Sequence, residues 1–231
     1  EVSMDNAVLV IPPHPDDAEF GAAGSVARWA AEGRPVYYLV CTNGDKGSSD
    51  RKMSPGRLAK TRRMEQLDAA AVLGVKEVQF LDYTDGTLED TPEFRGRLVY
   101  YIRKYKPFTV VTADPYRKYL WHRDHRITGR VVMDAVFPYA RDHLSYPEHL
   151  EKGLDTHKVR EVLFWAADEP NHYVDISGVF DTKLEAGLSH KSQMVGRHNN
   201  LNKWLRERAT MFGKAAGYPL AEGFHRVEIA F

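Results

Sequence analysis

One short stretch of the sequence combines an imidazole with several carboxylates, the side chains that bind divalent metals and transfer protons. It reads Pro13-His14-Pro15-Asp16-Asp17-Ala18-Glu19. His14 and Asp17 are three residues apart, so both can bind one ion where the chain turns from a strand into a helix. Asp16 lies between them, and its carboxylate could accept a proton from a water molecule on that ion. The stretch indicates metal-assisted hydrolysis, in which three protein ligands hold zinc and a fourth position is left for water.

The same residue types recur much later in the chain, in the sequence His122-Arg123-Asp124-His125. Either His122 or His125 can complete a ligand set with His14 and Asp17, provided that the fold brings the two stretches together. A hydrolytic metal centre requires convergence of this kind.

Each stretch also has a purely structural interpretation. Asp16 and Glu19 have the spacing of a capping box, and a carboxylate near a helix N-terminus stabilises the helix by about 0.3–1 kcal/mol. His122 and His125 could lie on the surface of a helix, which is the simpler interpretation of that pair taken alone. The two stretches together favour the metal centre, because both follow predicted strands of one sheet, and ligands of open parallel sheets bind beyond the carboxyl ends of the strands.

The elements that position these residues are predicted from the alternation of apolar runs with segments of helical period. Strands buried on both faces are nearly all apolar, and their alternation with helices is typical of βαβ units. The predicted strands are Ala7 to Ile11, Val36 to Cys41, Val78 to Leu81 and Thr109 to Thr112. The predicted helices are one that includes Phe20 and ends at Gly33, one from Ser54-Pro55 to Gly74, one that starts with Thr91-Pro92, and one from roughly Asp124 to Val136.

The predicted fold is a single α/β domain over residues 1–231, with a three-layer, Rossmann-like, mostly parallel sheet, helices on both faces and an irregular C-terminal part. In that C-terminal part, strands are expected at Glu161 to Ala166 and at Tyr173 to Ile176. Helices are expected at Asp181 to Gln193 and at Asn200 to Phe212.

Composition excludes several classes of function. Hydrophobic residues make up 43% of the chain, enough for a core that needs no disulfide. Lys and Arg total 32, and so do Asp and Glu, so the zero net charge gives no support for binding nucleic acid. No apolar run approaches the roughly 20 residues of a membrane span. With Cys41 as the lone cysteine and no apolar leader at the start of the sequence, a cytoplasmic location is expected.

Other reaction classes find little support in the sequence. The first predicted strand is not followed by the Gly-x-Gly-x-x-Gly pattern of dinucleotide-binding folds. No Gly-x-Ser-x-Gly pattern occurs, and Cys41 lies in an apolar strand where a thiol is normally inert. Catalysis by a nucleophilic serine or cysteine is therefore disfavoured.

The run from Pro13 to Gly21, together with His122-Arg123-Asp124-His125, resembles the LmbE/PIG-L family of zinc-dependent deacetylases. The resemblance extends from Val8 to about Gln193. It implies one Zn²⁺ per chain and hydrolysis of the N-acetyl group of an N-acetylglucosamine-type sugar or glycoconjugate. It also implies a small-molecule N-acetylated sugar as the substrate and assembly into a homo-oligomer.

The resemblance further implies a role for each matching position. The implied metal ligands are His14, Asp17 and His125. The general base is Asp16, and His122 faces the developing oxyanion or the leaving amine, with Asp124 as its orienting partner. Arg62 and Asp85 match positions that hold the sugar in family members, although a solvated helix face and a turn aspartate explain these two residues equally well.

Two other functions stay open at this point. A metal-dependent glycan-binding module would bind zinc and sugar without releasing acetate. A phosphoesterase could use the same site, and such enzymes usually hold a second metal about 3.5–4 Å from the first.

Overall fold

The computed structural model describes residues 6–119, 122–194 and 198–230. Its strands are β1 Val8–Ile11, β2 Val36–Thr42, β3 Glu77–Tyr83, β4 Thr109–Ala113, β5 Glu161–Trp165, β6 His172–Asp175 and β7 Ala221–Glu228. Within the described ranges they form one seven-stranded sheet, in the order β3-β2-β1-β4-β5-β7-β6. The first five strands pair in parallel, and β7 is antiparallel to both β5 and β6. The predicted mostly parallel α/β sheet is confirmed.

Helices cover both faces of the sheet. They are α1 Asp17–Ala31, α2 Pro55–Leu73, α3 Pro92–Tyr105, α4 Arg123–Val136, α5 Pro147–Glu151, α6 Phe180–Leu188 and α7 His198–Ala216. Val8 and Val10 of β1 share an apolar core with α1, α2, α6 and α7. Leu9 and Ile11 share a second core with α3 and α4. Successive side chains of a strand point to opposite faces, so these two cores confirm the predicted three layers.

Local sequence determines where two of the helices begin. Ser54 and Thr91 each accept a hydrogen bond from a backbone amide of the first helical turn, and a proline follows each of them. Proline suits the first helical position because its missing N–H would have no partner there. Helix α2 stops at its C-cap Gly74, as predicted, and Gly74 adopts the left-handed conformation (φ 74°). In the described part of the chain, the helices lack the length and apolar character needed to cross a membrane.

Besides the short helix α5, which was not predicted, the C-terminal part differs from the prediction in two ways. Strand β7 was not predicted, and it lies between the two strands that were. The predicted helix from Asp181 to Gln193 ends at Leu188 instead, with a short 3₁₀ turn at Lys191–Gln193. Both differences arise from contacts that are remote in sequence. The buried Glu222 of β7 accepts hydrogen bonds from the backbone and hydroxyl of Ser25 and from Lys183.

Candidate active site and metal centre

The candidate site lies at the carboxyl edge of the sheet, where the loops after β1, β2, β3 and β4 meet. Strand β1 pairs with β2 on one side and with β4 on the other. From β1 the sheet extends to one side through β2 and β3 and to the other side through β4 and β5. Open α/β sheets bind ligands at such a switch point in the strand order. The topology therefore places the stretch around His14 next to the stretch from His122 to His125.

His14 is at the centre of the site and contacts the other predicted ligands. Its Nδ1 lies 2.9 Å from Oδ2 of Asp17. The same carboxylate oxygen lies 3.1 Å from Nε2 of His125. The ring centroids of His14 and His125 are 5.3 Å apart. Side chains from the two distant stretches are therefore in contact, as a shared metal ion would require.

The other nitrogen of the His14 ring faces two further carboxylates. Its Nε2 lies 2.9 Å from Oδ2 of Asp124 and 3.2 Å from Oδ1 of Asp85. The side chain of Asp124 is fully buried, and it accepts hydrogen bonds from the amides of Gly86 (2.7 Å) and Leu88 (3.2 Å). A histidine that binds a metal through one nitrogen usually donates from the other to a carboxylate. Asp124 is placed to accept such a bond.

This placement of Asp124 differs from the predicted one. The resemblance implied that Asp124 orients His122, whereas in the structure its carboxylate contacts His14. Asp124 forms a hydrogen bond to His122 through its backbone amide, which donates to Nδ1 at 3.2 Å.

The contact through Nδ1 determines what His122 can do. Since Nδ1 accepts a hydrogen bond, the neutral ring carries its proton on Nε2 and can donate it. Burial, together with His14 and His125, lowers the pKa of His122, so the neutral form is favoured at neutral pH. The His122 ring lies 4.5 Å from that of His14, centroid to centroid. A neutral N–H donor in this position can stabilise negative charge on a substrate oxygen.

The electrostatics of the cluster favour a bound cation. Burial alone would lower the pKa of His14, but the carboxylates of Asp17, Asp124 and Asp85 outweigh it and raise the pKa to about 12. Burial likewise opposes ionisation of Asp17, yet His125 and His14 hold its pKa well below the ordinary value. Three carboxylates therefore contact the His14 ring, and one of them also contacts His125.

The donor atoms also suit a metal ion. Nitrogen atoms of His14, His122 and His125 lie within 4.8 Å of one another. Donor atoms of His14, Asp85, His122 and Asp124 form a second set within the same limit. Imidazole nitrogen combined with carboxylate oxygen is the donor set that zinc and similar first-row divalent ions bind. The residues present therefore fit the metal that the resemblance implied.

Asp16 adopts a strained backbone conformation at the start of α1. Its φ of 99° lies in the left-handed region, which costs a non-glycine residue about 1–3 kcal/mol and is typical of functional sites. Its side chain does not cap the helix, so the capping-box interpretation is not realised. Burial raises the pKa of Asp16 to about 6, although Arg62, with Nη2 at 3.3 Å from Oδ2, opposes the rise. A carboxylate that ionises just below neutral pH is suited to act as a general base.

Arg62 and Asp85 both lie in the site and contact protein atoms. The side chain of Arg62 is buried, and it donates to the carbonyls of Pro15 (2.6 Å) and Gly44 (3.1 Å). A Cβ on Gly44 would lie 2.8 Å from the guanidinium carbon, so this approach requires glycine. Nη1 of Arg62 is also 3.8 Å from Oδ2 of Asp85. Arg62 thus ties together the loops after β1 and β2.

Behind Asp16 lies a buried polar network that sequence analysis missed. The backbone amide of Asp16 donates to Oε1 of Gln66 (3.0 Å), and Nε2 of Gln66 donates to Oε1 of Glu19 (3.0 Å). Oε2 of Glu19 lies 3.1 Å from Nε2 of His190. All three side chains have 0% exposure. Glu19 belongs to the recognised motif, but nothing in the local sequence around Gln66 or His190 predicts their part in the site.

Replacing Gln66 with leucine is expected to lower the free energy of unfolding by about 2–6 kcal/mol. The amide of Asp16 and the carboxylate of Glu19 would each lose a buried partner, at about 1–3 kcal/mol per group. Urea denaturation measures the change. The control is Lys60→Gln at an exposed position of the same helix, which should stay within about 0.5 kcal/mol of the wild type. Equal stability of the two variants would show that the network does not stabilise the fold.

Comparison with known proteins identifies several relatives. The family described as PIG-L, GlcNAc-PI de-N-acetylase, matches residues 9–136. The diacetylchitobiose deacetylase of Thermococcus kodakarensis is 37% identical over 221 residues, which cover 95% of this chain and 82% of that protein. A probable N-acetyl-alpha-D-glucosaminyl L-malate deacetylase 2 of Bacillus cereus is 30% identical over 195 residues, covering 82% of this chain and 84% of that one.

A solved structure extends the comparison to three dimensions. The N,N'-diacetylchitobiose deacetylase of Pyrococcus horikoshii aligns with a TM-score of 0.91 at 32% identity, covering 96% of this chain and 84% of that chain. The family match at residues 9–136 includes every predicted site residue from His14 to His125.

Proposed function

Because this chain belongs to the PIG-L family of de-N-acetylases, we propose that the cluster around His14 hydrolyses the N-acetyl group of an N-acetylglucosamine-type sugar with one zinc ion per chain. One observation carries the proposal: Oδ2 of Asp17 lies within 3.1 Å of imidazole nitrogens of both His14 and His125. This contact brings together residues from two separate junctions of the sheet, which supports a shared metal site.

The proposed ligands are His14, Asp17 and His125. When bound, zinc supplies a Lewis acid for the acetamide carbonyl and lowers the pKa of a water molecule to about 7. Asp124 fixes the orientation of the His14 ring by accepting from Nε2, while the amides of Gly86 and Leu88 hold the Asp124 carboxylate in place.

Asp16 is the proposed general base and takes a proton from the attacking water. Gln66 holds the backbone of Asp16 and Arg62 contacts its carboxylate, so its position is defined before substrate binds. His122 donates from Nε2 to the oxyanion that develops on the substrate. Asp16 or His122 then returns a proton to the departing amine. A positioned acid or base accelerates such reactions by about 10²–10⁴-fold, and an oxyanion donor by about 10²–10³-fold.

The proposed substrate contains an N-acetylglucosamine unit. This unit occurs in diacetylchitobiose and in N-acetyl-alpha-D-glucosaminyl L-malate, the compounds in the names of the T. kodakarensis and B. cereus relatives. Arg62 and Asp85 remain candidates for contacting it, from their position beside His14 and Asp16. A homo-oligomeric state stays a prediction of the family resemblance, and a cytoplasmic location stays a prediction from the sequence.

The proposal is tested by measuring zinc content and acetate release over a panel of N-acetylated sugars, with and without a chelator. We expect one zinc per chain, acetate release that stops on chelation, and recovery when zinc is added back. Sustained release from metal-free protein would contradict the proposal. Sugar binding without acetate release would indicate a binding module, and two metals per chain with cleavage of phosphate esters would indicate a phosphoesterase.

A further inference from the structure

A buried histidine, His190, lies behind the candidate site and takes no direct part in the proposed reaction. It is 0% exposed, and its Nε2 lies 3.1 Å from Oε2 of Glu19. Burial alone would lower the pKa of His190, but nearby carboxylates, that of Glu19 foremost, outweigh it and raise the pKa. The protonated ring is therefore favoured, and it donates a hydrogen bond to Glu19.

Glu19 connects His190 to the amide side chain of Gln66. Its other carboxylate oxygen, Oε1, accepts a hydrogen bond from Nε2 of Gln66 at 3.0 Å. An amide side chain has two different ends, an accepting oxygen and a donating nitrogen, whereas an ionised carboxylate only accepts. Glu19 therefore determines which end of the Gln66 amide faces it. The oxygen of that amide is thereby directed towards Asp16.

Asp16 needs the Gln66 oxygen because its own backbone conformation is unfavourable. Its φ of 99° lies in the left-handed region, and such a conformation persists only where surrounding contacts hold it. The backbone amide of Asp16 donates to Oε1 of Gln66 at 3.0 Å. A reversed Gln66 amide would place a second donor against this N–H, and the hydrogen bond would be lost.

The turn that follows α6 and contains His190 is itself fixed to α2. Ser192 donates from its backbone amide and from its hydroxyl to the carboxylate of Glu65, both at 2.7 Å. Glu65 directly precedes Gln66 in α2. The turn therefore contacts α1 through Glu19 and contacts α2 at the residue next to Gln66.

We propose that His190 is a positioning residue for Asp16. Its hydrogen bond to Glu19 fixes the orientation of the Gln66 amide, and this amide holds the backbone of Asp16. The inference rests on the proposed function, because that function makes Asp16 the general base. A catalytic group displaced by about 1 Å can lose about 10²-fold in rate, so His190 affects turnover through the position of Asp16.

The test compares substitutions of His190 in the full chain loaded with zinc, with diacetylchitobiose as the compound that releases acetate. We expect His190→Leu, which removes the donor, to lower kcat about 10–100-fold while KM and zinc content stay those of the wild type. His190→Gln should recover most of the loss, because its side-chain nitrogen can still donate to Glu19. His190→Asn should not, because its amide is one methylene shorter, and it replaces His190→Leu if that variant does not fold.

Hydrogen exchange of the Asp16 backbone amide, followed by NMR, is a second measurement that does not depend on activity. We expect exchange about tenfold faster in His190→Leu and close to the wild-type rate in His190→Gln, because only the first change frees the Gln66 amide to reverse. His149→Leu is the matched control, since His149 is 6% exposed and lies on α5 against two tyrosine rings. It should have the wild-type kcat and the wild-type exchange rate.

Wild-type kcat and exchange in His190→Leu would overturn the inference. Equal losses in His190→Leu and His190→Gln would overturn it as well, because the N–H donor would then have no effect. An equal fall of kcat in His149→Leu, or loss of zinc from His190→Leu, would assign the effect to general destabilisation or to the metal instead. Absence of acetate release from the wild type would mean that the proposed function has failed. The exchange rates then test the contact separately, and equal rates in wild type and His190→Leu would reject it.

Discussion

Asp16→Asn protein is expected to retain zinc while its kcat for acetate release falls by about 10²–10⁴-fold. Asparagine preserves the size of the side chain but cannot accept a proton. The backbone amide at this position still donates to Gln66, so the start of α1 should keep its conformation. Asp16 is not among the proposed ligands, and the metal should therefore remain in place.

Zinc content and single-turnover acetate release, measured on the same preparation, check this expectation. Asp68→Asn is the matched control, because Asp68 is an exposed carboxylate on α2. It should have the kcat of the wild type. Full turnover by Asp16→Asn would remove Asp16 from the role of base, and loss of zinc would instead indicate that Asp16 helps to hold the metal.

His14→Ala protein is expected to lose both zinc and activity. The His14 ring contacts Asp17 through one nitrogen and Asp124 through the other, so its removal deletes one ligand and leaves buried carboxylates without their partner. Metal analysis after dialysis and acetate release measure the two losses. The control is His143→Ala, since the His143 side chain is 74% exposed. Zinc retained at one per chain in His14→Ala would mean that other residues form the site.

The number of protons released on zinc binding is an independent test of the prediction that His14 binds the metal. In the metal-free protein the pKa of His14 is raised to about 12, so its ring is protonated throughout the neutral range. A metal ligand must be deprotonated, and zinc therefore has to displace a proton. We expect wild-type protein to release about one proton per zinc, and zinc affinity to rise about tenfold per pH unit below the pKa of His14. Calorimetry in buffers of different ionisation enthalpy counts the protons.

Much of the site could be predicted because its residues lie in two short, contiguous stretches of sequence. The strand that ends before His14 is buried on both faces, and its apolar run indicates this without reference to other elements. The carboxyl ends of parallel strands lie at one edge of the sheet, so His14 and His125 were expected at the same edge. That β1 pairs directly with β4, which brings the two residues together, was not predicted. Family resemblance added the division of roles between the adjacent Asp16 and Asp17.

The unpredicted parts depend on contacts between residues far apart in the sequence. The helix that was expected to reach Gln193 ends at Leu188, and His190 beyond it lies in the core against Glu19, 171 positions away. Strand β7 contains Glu222, which would suggest an exposed position. It is 5% exposed because Ser25 and Lys183 satisfy its carboxylate. The sequence pattern of β7 by itself does not predict that the Glu222 carboxylate is buried.

The position of β7 in the sheet has a consequence for synthesis of the protein on the ribosome. Of the described strands it is translated last, yet it lies between β5 and β6, which are made earlier. Until it emerges, β5 presents an open hydrogen-bonding edge and the ammonium of Lys183 lacks its carboxylate partner. Such an edge can pair with another nascent chain. Strands β1 to β5 can therefore assemble during translation, whereas this edge of the sheet closes only after β7 leaves the exit tunnel.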